Sequence, residues 1–176
     1  NVRSRFGKEW KFDVKLSDYV DVQAHRGGAG LWPENTFTSM TKATEMGVNT
    51  LELDLQISQD GKVVVSHDAY FNSRYATRPD GSEVKSEDPK EYLYTMPYST
   101  IAKYDVGKRP SPEWPGKEQS PAIKPLATEL IDSVENYVKA NGLDPMRYNI
   151  EIKCRKGKDE GKNWPEYHEF VDKCME

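Results

Sequence analysis

Thr50-Leu51-Glu52-Leu53-Asp54-Leu55-Gln56-Ile57-Ser58 is the stretch on which the reading of this chain turns. Leu51, Leu53, Leu55 and Ile57 alternate with Glu52, Asp54 and Gln56, and a period of two is that of a β-strand, whose successive side chains point to opposite faces. Glu52 and Asp54 therefore project together. On a face turned toward a core, unpaired carboxylates are expensive to desolvate, and a shared divalent cation is one compensation. The same alternation also suits a strand with a wet polar face.

On the amino-terminal side, Val20, Val22 and Ala24 alternate with Asp21 and Gln23 and predict a strand that ends at His25. Asn35 or Thr36 is placed to cap a helix with Phe37, Met40 and Ala43 on one face, and Gly47 to stop it. On the carboxy-terminal side, Asp60-Gly61 is a tight-turn signal, and Val63, Val64 and Val65 predict a returning strand that ends at His67-Asp68. Leu126, Leu130, Val134, Tyr137 and Val138 keep helical spacing up to Asn141-Gly142. Tyr148 to Lys153 then reads as another strand and Trp164 to Met175 as a final helix. This order predicts an α/β protein on a parallel sheet, a single domain over 1–176. Residues 69–125 hold eight of the eleven Pro and six of the ten Tyr and read as an inserted subdomain. It is either a cap over the site or an aromatic mini-core tying down a long loop. Tyr70, Phe71 and Tyr75 follow His67 most closely and are candidates for a wall of the substrate pocket.

In Asn149-Ile150-Glu151-Ile152-Lys153, Glu151 and Lys153 share one face. With Glu52 and Asp54 this makes a set of carboxylates without thiolates, suited to a hard ion, Mg²⁺ or Ca²⁺, rather than zinc. Such an ion beside a lysine and an arginine is a phosphate-binding arrangement. His25 and His67 sit at predicted strand ends, where α/β folds place reactive side chains, while His168 lacks that context and reads as structural.

The net charge of -4 argues against a nucleic-acid partner. The run Arg155 to Lys162 contains Asp159 and Glu160 and reads as a solvated loop. No stretch approaches the ~20 apolar residues of a membrane helix, and the first residues lack a charged-then-apolar leader pattern. The chain reads as soluble. Its compartment is unassigned; a leader removed ahead of Asn1 would make it periplasmic or secreted. Cys154 and Cys174 have no metal-ligand spacing and read as small apolar residues; a disulfide between them would need an oxidising compartment.

The ordered set Ala24-His25-Arg26-Gly27-Gly28, Pro33-Glu34-Asn35-Thr36, Glu52-Leu53-Asp54, Asp60-Gly61 and His67-Asp68 resembles the glycerophosphodiester phosphodiesterase signature, which Tyr104-Asp105-Val106-Gly107 and Glu151-Ile152-Lys153 extend. Each fragment is weak alone; their order is specific. The resemblance implies an enzyme that hydrolyses glycerophosphodiesters to glycerol 3-phosphate and an alcohol. It also implies one divalent cation on Glu52, Asp54 and Glu151, and general acid/base roles for His25 and His67. Arg26 and Lys153 would hold the phosphate, with Glu34 and Asn35 shaping the substrate side of the site. The implied fold is a TIM (β/α)₈ barrel. A complete one takes ~250 residues and this chain offers about three barrel strands, so an amino-terminal portion is expected, completed by further sequence or by another chain. Pro125-Leu126-Ala127-Thr128-Glu129 departs from the family's Pro-Thr-Leu-Glu-Glu-like helix start. A sphingomyelinase D-like or lysophospholipase D-like lipid phosphodiesterase, and a non-catalytic phosphate- and metal-binding fragment, are the competing readings.

Overall fold

The strand read from residues 50–58 is the centre of the molecule. The computed structural model describes residues 20–176 and, ahead of them, the backbone of two short strands, β1 (Val2–Arg3) and β2 (Glu9–Trp10), paired antiparallel. The leader reading of the first residues otherwise lies outside the described residues. β3 (Gln23–Ala24) and β6 (Arg147–Ile152) pair with β4 (Thr50–Ile57) in parallel, and β5 (Val63–Val65) returns antiparallel to it. Thr50, Leu51 and Leu55 of β4 have partners on both sides. Hence β6 runs along one edge of β4, and β3 and β5 share the other.

Both faces of β4 are buried, which decides against the wet-face alternative. Leu51, Leu53 and Leu55 pack with Met40 and Ala43 of α1 (Phe37–Glu45) and with Leu130, Val134 and Val138 of α3 (Ala127–Asn141). The carboxylate face is thereby turned away from the helices. α1 starts where the sequence predicts: the Thr36 hydroxyl accepts the Ser39 N–H at 3.3 Å, and the Ser39 hydroxyl accepts the Thr36 N–H at 3.1 Å. α3 ends in the left-handed conformation at Gly142 (φ 61°), as a glycine after a helix permits.

A second apolar cluster gathers Val64 with Phe71, Ala76, Val84, Leu93, Tyr104, Val106 and Ile101 of α2 (Tyr98–Ile101). Phe71 and Tyr104 stack with ring centroids 3.8 Å apart. Phe71, 1% exposed, is therefore part of this core, and it also borders a small pocket with Tyr70 and Asn72. Residues 69–125 thus contain the aromatic mini-core.

The strands expected over 50–58 and 148–153 end one residue early, at Ile57 and Ile152, and two other elements differ more from expectation. The first barrel strand is only Gln23–Ala24, with Val20 exposed, because the backbone of Val22 turns to Asn49 and Thr50 and only the next two residues reach the ladder. The last helix, α4 (Tyr167–Met175), starts later than Trp164, since a proline at 165 disfavours helical backbone in the residue before it. Both cysteine thiols are free and partly buried. Among the described residues no helix is long and apolar enough to cross a membrane.

Candidate functional site

The parallel register of β4 and β6 sets Glu151 beside Asp54 and Asn149 beside Glu52. Glu52, Asp54 and Glu151 each offer a carboxylate oxygen within 4.8 Å of the others. Asp54 is 1% exposed and Glu52 8%, whereas Glu151 is open to solvent. Burial pushes the Glu52 carboxyl above its ordinary range, the Arg26 N–H bond opposes this, and the Asp54 charge reinforces it. Lys153 Nζ bridges the other two, 2.7 Å from Glu151 Oε2 and 3.1 Å from Asp54 Oδ1. Partial burial disfavours that ammonium, but the two carboxylates outweigh it and hold Lys153 above an ordinary lysine.

At the end of β3 the chain turns through a short 3₁₀ segment, His25–Gly27, with Arg26 itself at φ 51°. This strained turn brings the Arg26 backbone N–H to Glu52 Oε2 at 2.6 Å and its guanidinium to Glu34 Oε1 at 3.1 Å. Arg26 Nε lies 3.4 Å from Asp54 Oδ2 without a hydrogen bond. Gly27 (φ 75°) is required twice over, since a Cβ there would also sit 2.6 Å from Ser39 Oγ. Asn35 (φ 57°) accepts the Asp54 N–H through Oδ1 at 3.3 Å and donates from Nδ2 to Asp54 Oδ2 at 2.9 Å.

The structure therefore joins Arg26, Glu34, Asn35, Glu52, Asp54, Glu151 and Lys153 in one network that links the end of β3 and the end of β6 to the middle of β4. His25 is exposed on its rim, close enough to Glu52 to favour that carboxylate's charge. His67 follows β5, with its carbonyl held by Gln56 Nε2 at 3.2 Å. Its Nδ1 lies 3.1 Å from Asp68 Oδ1, and Asn72 Nδ2 donates to the other Asp68 oxygen at 2.7 Å. Burial pushes Asp68 up, but the Asn72 bond, Lys124 and His67 together hold its carboxyl below the usual range. Glu34, half-buried, also faces Tyr75, whose hydroxyl is kept neutral chiefly by burial and then by Glu34 and Asp68. His168 is exposed in α4, edge-on to Tyr167, outside this group.

In the sequence Asp68 stands out only as the second residue of His67-Asp68, and Ser66, Asn72 and Lys124 do not stand out at all. Asp68 directly after His67 was a usable signal; a lysine 58 residues from its serine partner carries none. Beside His25 an apolar groove of about 340 Å³ is lined by Leu31, Trp32, Met46, Val48 and Trp114, among others. In chemical terms the site offers three carboxylate oxygens that could hold a hard cation, and a guanidinium and an ammonium that could hold an anion, with the His25 imidazole on its rim.

The family described as the glycerophosphoryl diester phosphodiesterase family matches this chain across residues 25–174. Among curated proteins, the chain is 32% identical over 157 residues to Lysophospholipase D GDPD1 of Homo sapiens, covering 86% of this chain and 46% of that protein. It is 45% identical over 58 residues to a glycerophosphodiester phosphodiesterase of Bacillus subtilis, covering 33% of this chain and 20% of the relative. Among solved structures, an Oleispira antarctica phosphodiesterase in complex with sn-glycerol-3-phosphate superposes with a TM-score of 0.56 at 29% identity, covering 86% of this chain and 56% of that one. The glycerophosphodiester phosphodiesterase of Thermotoga maritima does so with a TM-score of 0.53 at 26% identity, covering 89% and 48%. The chain thus spans about half, or less, of the length of these proteins, and its sheet is a partial (β/α)₈ barrel.

Proposed function

Since the chain belongs to the glycerophosphoryl diester phosphodiesterase family, we propose that the polypeptide carrying it hydrolyses glycerophosphodiesters to glycerol 3-phosphate and an alcohol. The observation that carries this reading is the network centred on Asp54, in which the carboxylates of two adjacent strands converge with Arg26 and Lys153.

Glu52, Asp54 and Glu151 suit a divalent cation. Asp54 Oδ1 is buried and has no hydrogen bond, only the Lys153 ammonium at 3.1 Å, and the donor set is all hard oxygen, which favours Ca²⁺ or Mg²⁺. Such an ion, when bound, supplies charge stabilisation at the phosphoryl group. Arg26 and Lys153 bind the phosphate oxygens and stabilise the charge that grows on them, with Glu34 and Asn35 fixing the guanidinium and Asp54. One of the pair His25 and His67 takes the proton of the attacking oxygen and the other protonates the departing alcohol, a contribution of roughly 10²- to 10⁴-fold in rate. The attacking oxygen is that of water or of the neighbouring glycerol hydroxyl. Residues 69–125 act as an inserted subdomain, with Tyr75 against Glu34 on the substrate side. The rest of the barrel comes from further sequence or from a second chain.

A lysophospholipid substrate is the second reading. A relative named as a lysophospholipase D matches 86% of this chain, and the apolar groove beside His25 has room for part of an acyl chain.

The test is release of glycerol 3-phosphate from glycerophosphocholine, and of choline from lysophosphatidylcholine, with Ca²⁺, Mg²⁺ or EDTA. Both the 176-residue chain and the longest natural polypeptide containing it are assayed. Release that depends on the metal and disappears in His25→Ala and Glu52→Ala supports the hydrolase. Turnover of the lysolipid alone selects the second reading, and a folded, metal-binding but inert long form leaves a binding module.

A further inference from the structure

Lys124 is the most deeply buried cationic side chain among the described residues, and neither the metal cluster nor the phosphate-binding pair accounts for it. It is delivered by the segment just before α3, which lies against β5: the Val65 N–H donates to the Pro125 carbonyl at 2.8 Å, and Val64 bridges to Leu126. The lysine is therefore set beside the end of β5, where Ser66, His67 and Asp68 follow. Lys124 Nζ donates to Ser66 Oγ at 2.6 Å, and that hydroxyl donates onward to the Asp68 carbonyl at 2.7 Å. The rings of Phe71 and Tyr75 lie 5.7 and 5.8 Å from the ammonium, and Tyr98 fixes the Lys124 carbonyl at 3.3 Å. A buried ammonium with a single hydroxyl partner needs opposite charge nearby. Asp68, Glu34 and Asp54 face it and favour its charge, and Arg26 opposes it. Asp68 in turn has one oxygen at His67 Nδ1 and the other at Asn72.

We infer that Lys124 is a positioning residue: through Ser66 and the charge of Asp68 it holds the His67 imidazole with its proton on Nδ1 and Nε2 free to exchange a proton with the reacting group. The chain of contacts is continuous, Lys124 to Ser66 to the Asp68 backbone, with the Asp68 carboxylate closing on the imidazole. A carboxylate orients a histidine this way only while ionised, and Lys124 is one of the groups that keep Asp68 so. Burial brings Lys124 down to about 8, so near neutrality the ammonium form still prevails. The inference rests on the proposed catalytic role of His67.

The experiment compares Lys124→Met, Ser66→Ala and His67→Ala in the longest natural polypeptide containing these residues, with two readouts. These are kcat and KM on glycerophosphocholine, and the ¹⁵N shifts of the His67 ring. Lys124→Met is expected to lower kcat about 10- to 100-fold, in the range seen when an orienting partner is lost, with KM little changed. Its ring nitrogens move from one dominant tautomer toward a mixture. Ser66→Ala, which removes only a hydroxyl, moves both readouts the same way by less, and decides the matter if Lys124→Met does not fold. Unchanged kcat, or a lower kcat with an unaltered imidazole, overturns the inference. Full activity in His67→Ala overturns the assignment beneath it, whereas an inactive His67→Ala beside a fully active Lys124→Met overturns the Lys124 inference alone.

Discussion

Asp54 shows how much a single buried side chain can be asked to hold. Its two oxygens face Asn35, Arg26 and Lys153, and its own N–H is taken by Asn35. Replacing Asn35 by Ala leaves Asp54 Oδ2 without its buried donor and puts a Cβ-only residue at φ 57°, so a loss of about 2–3 kcal/mol is expected in urea unfolding. At Asp68 the carboxyl is depressed in the folded state, so the unfolded chain binds its proton first as pH falls. Its stabilisation is present above the unfolded value, near 3.9, and drains away as pH drops through the folded one. The stability gap between the natural protein and Asp68→Asn should accordingly narrow below about pH 4, measured by unfolding at pH 3 and pH 6.

Among the elements, β4 is the one on which the others depend, because its leucine face makes the helical core and its acidic face makes the site. Leu53→Ala, at a position fully buried beneath α1 and α3, should lower stability by roughly 3–5 kcal/mol and disturb the geometry of the three carboxylates with it. Thr36→Ala tests the entry to α1 separately: loss of the reciprocal cap with Ser39 should cost about 1 kcal/mol, read as a lower thermal midpoint. The same substitution loosens the turn carrying Glu34 and Asn35, so a modest fall in substrate affinity is expected alongside.

For the molecule as a whole, the telling surface is β6, whose outer edge has no neighbouring strand among the described residues and whose Ile150 is 43% exposed. In a completed barrel that strand would be interior to the sheet. Ile150→Thr should therefore be nearly silent in the 176-residue chain, within about 0.5 kcal/mol. In the longer polypeptide the same change should lower stability by about 1–2 kcal/mol, measured by parallel denaturant titrations. Equal effects in the two forms would mean that nothing covers β6.

The alternation in residues 50–57, the Thr36 cap and the glycine stops at 47 and 142 were legible in the sequence because each depends on residues adjacent in the chain. So were the ordered fragments around His25, Glu34, Glu52 and His67, since each is a short run of adjacent residues. What the sequence left open was which of two equal patterns burial would choose. It also did not tell that Phe71 is packed into a core, or how far the first strand runs. Only the tertiary structure decided these, because each depends on partners brought from far along the chain: Leu130 and Val134 over β4, Tyr104 on Phe71, Asn49 turned to Val22. Lys124 is the clearest instance, as its meaning comes from Ser66 and Asp68, which the pairing of β5 with the segment before α3 brings within hydrogen-bonding range and no local pattern announces.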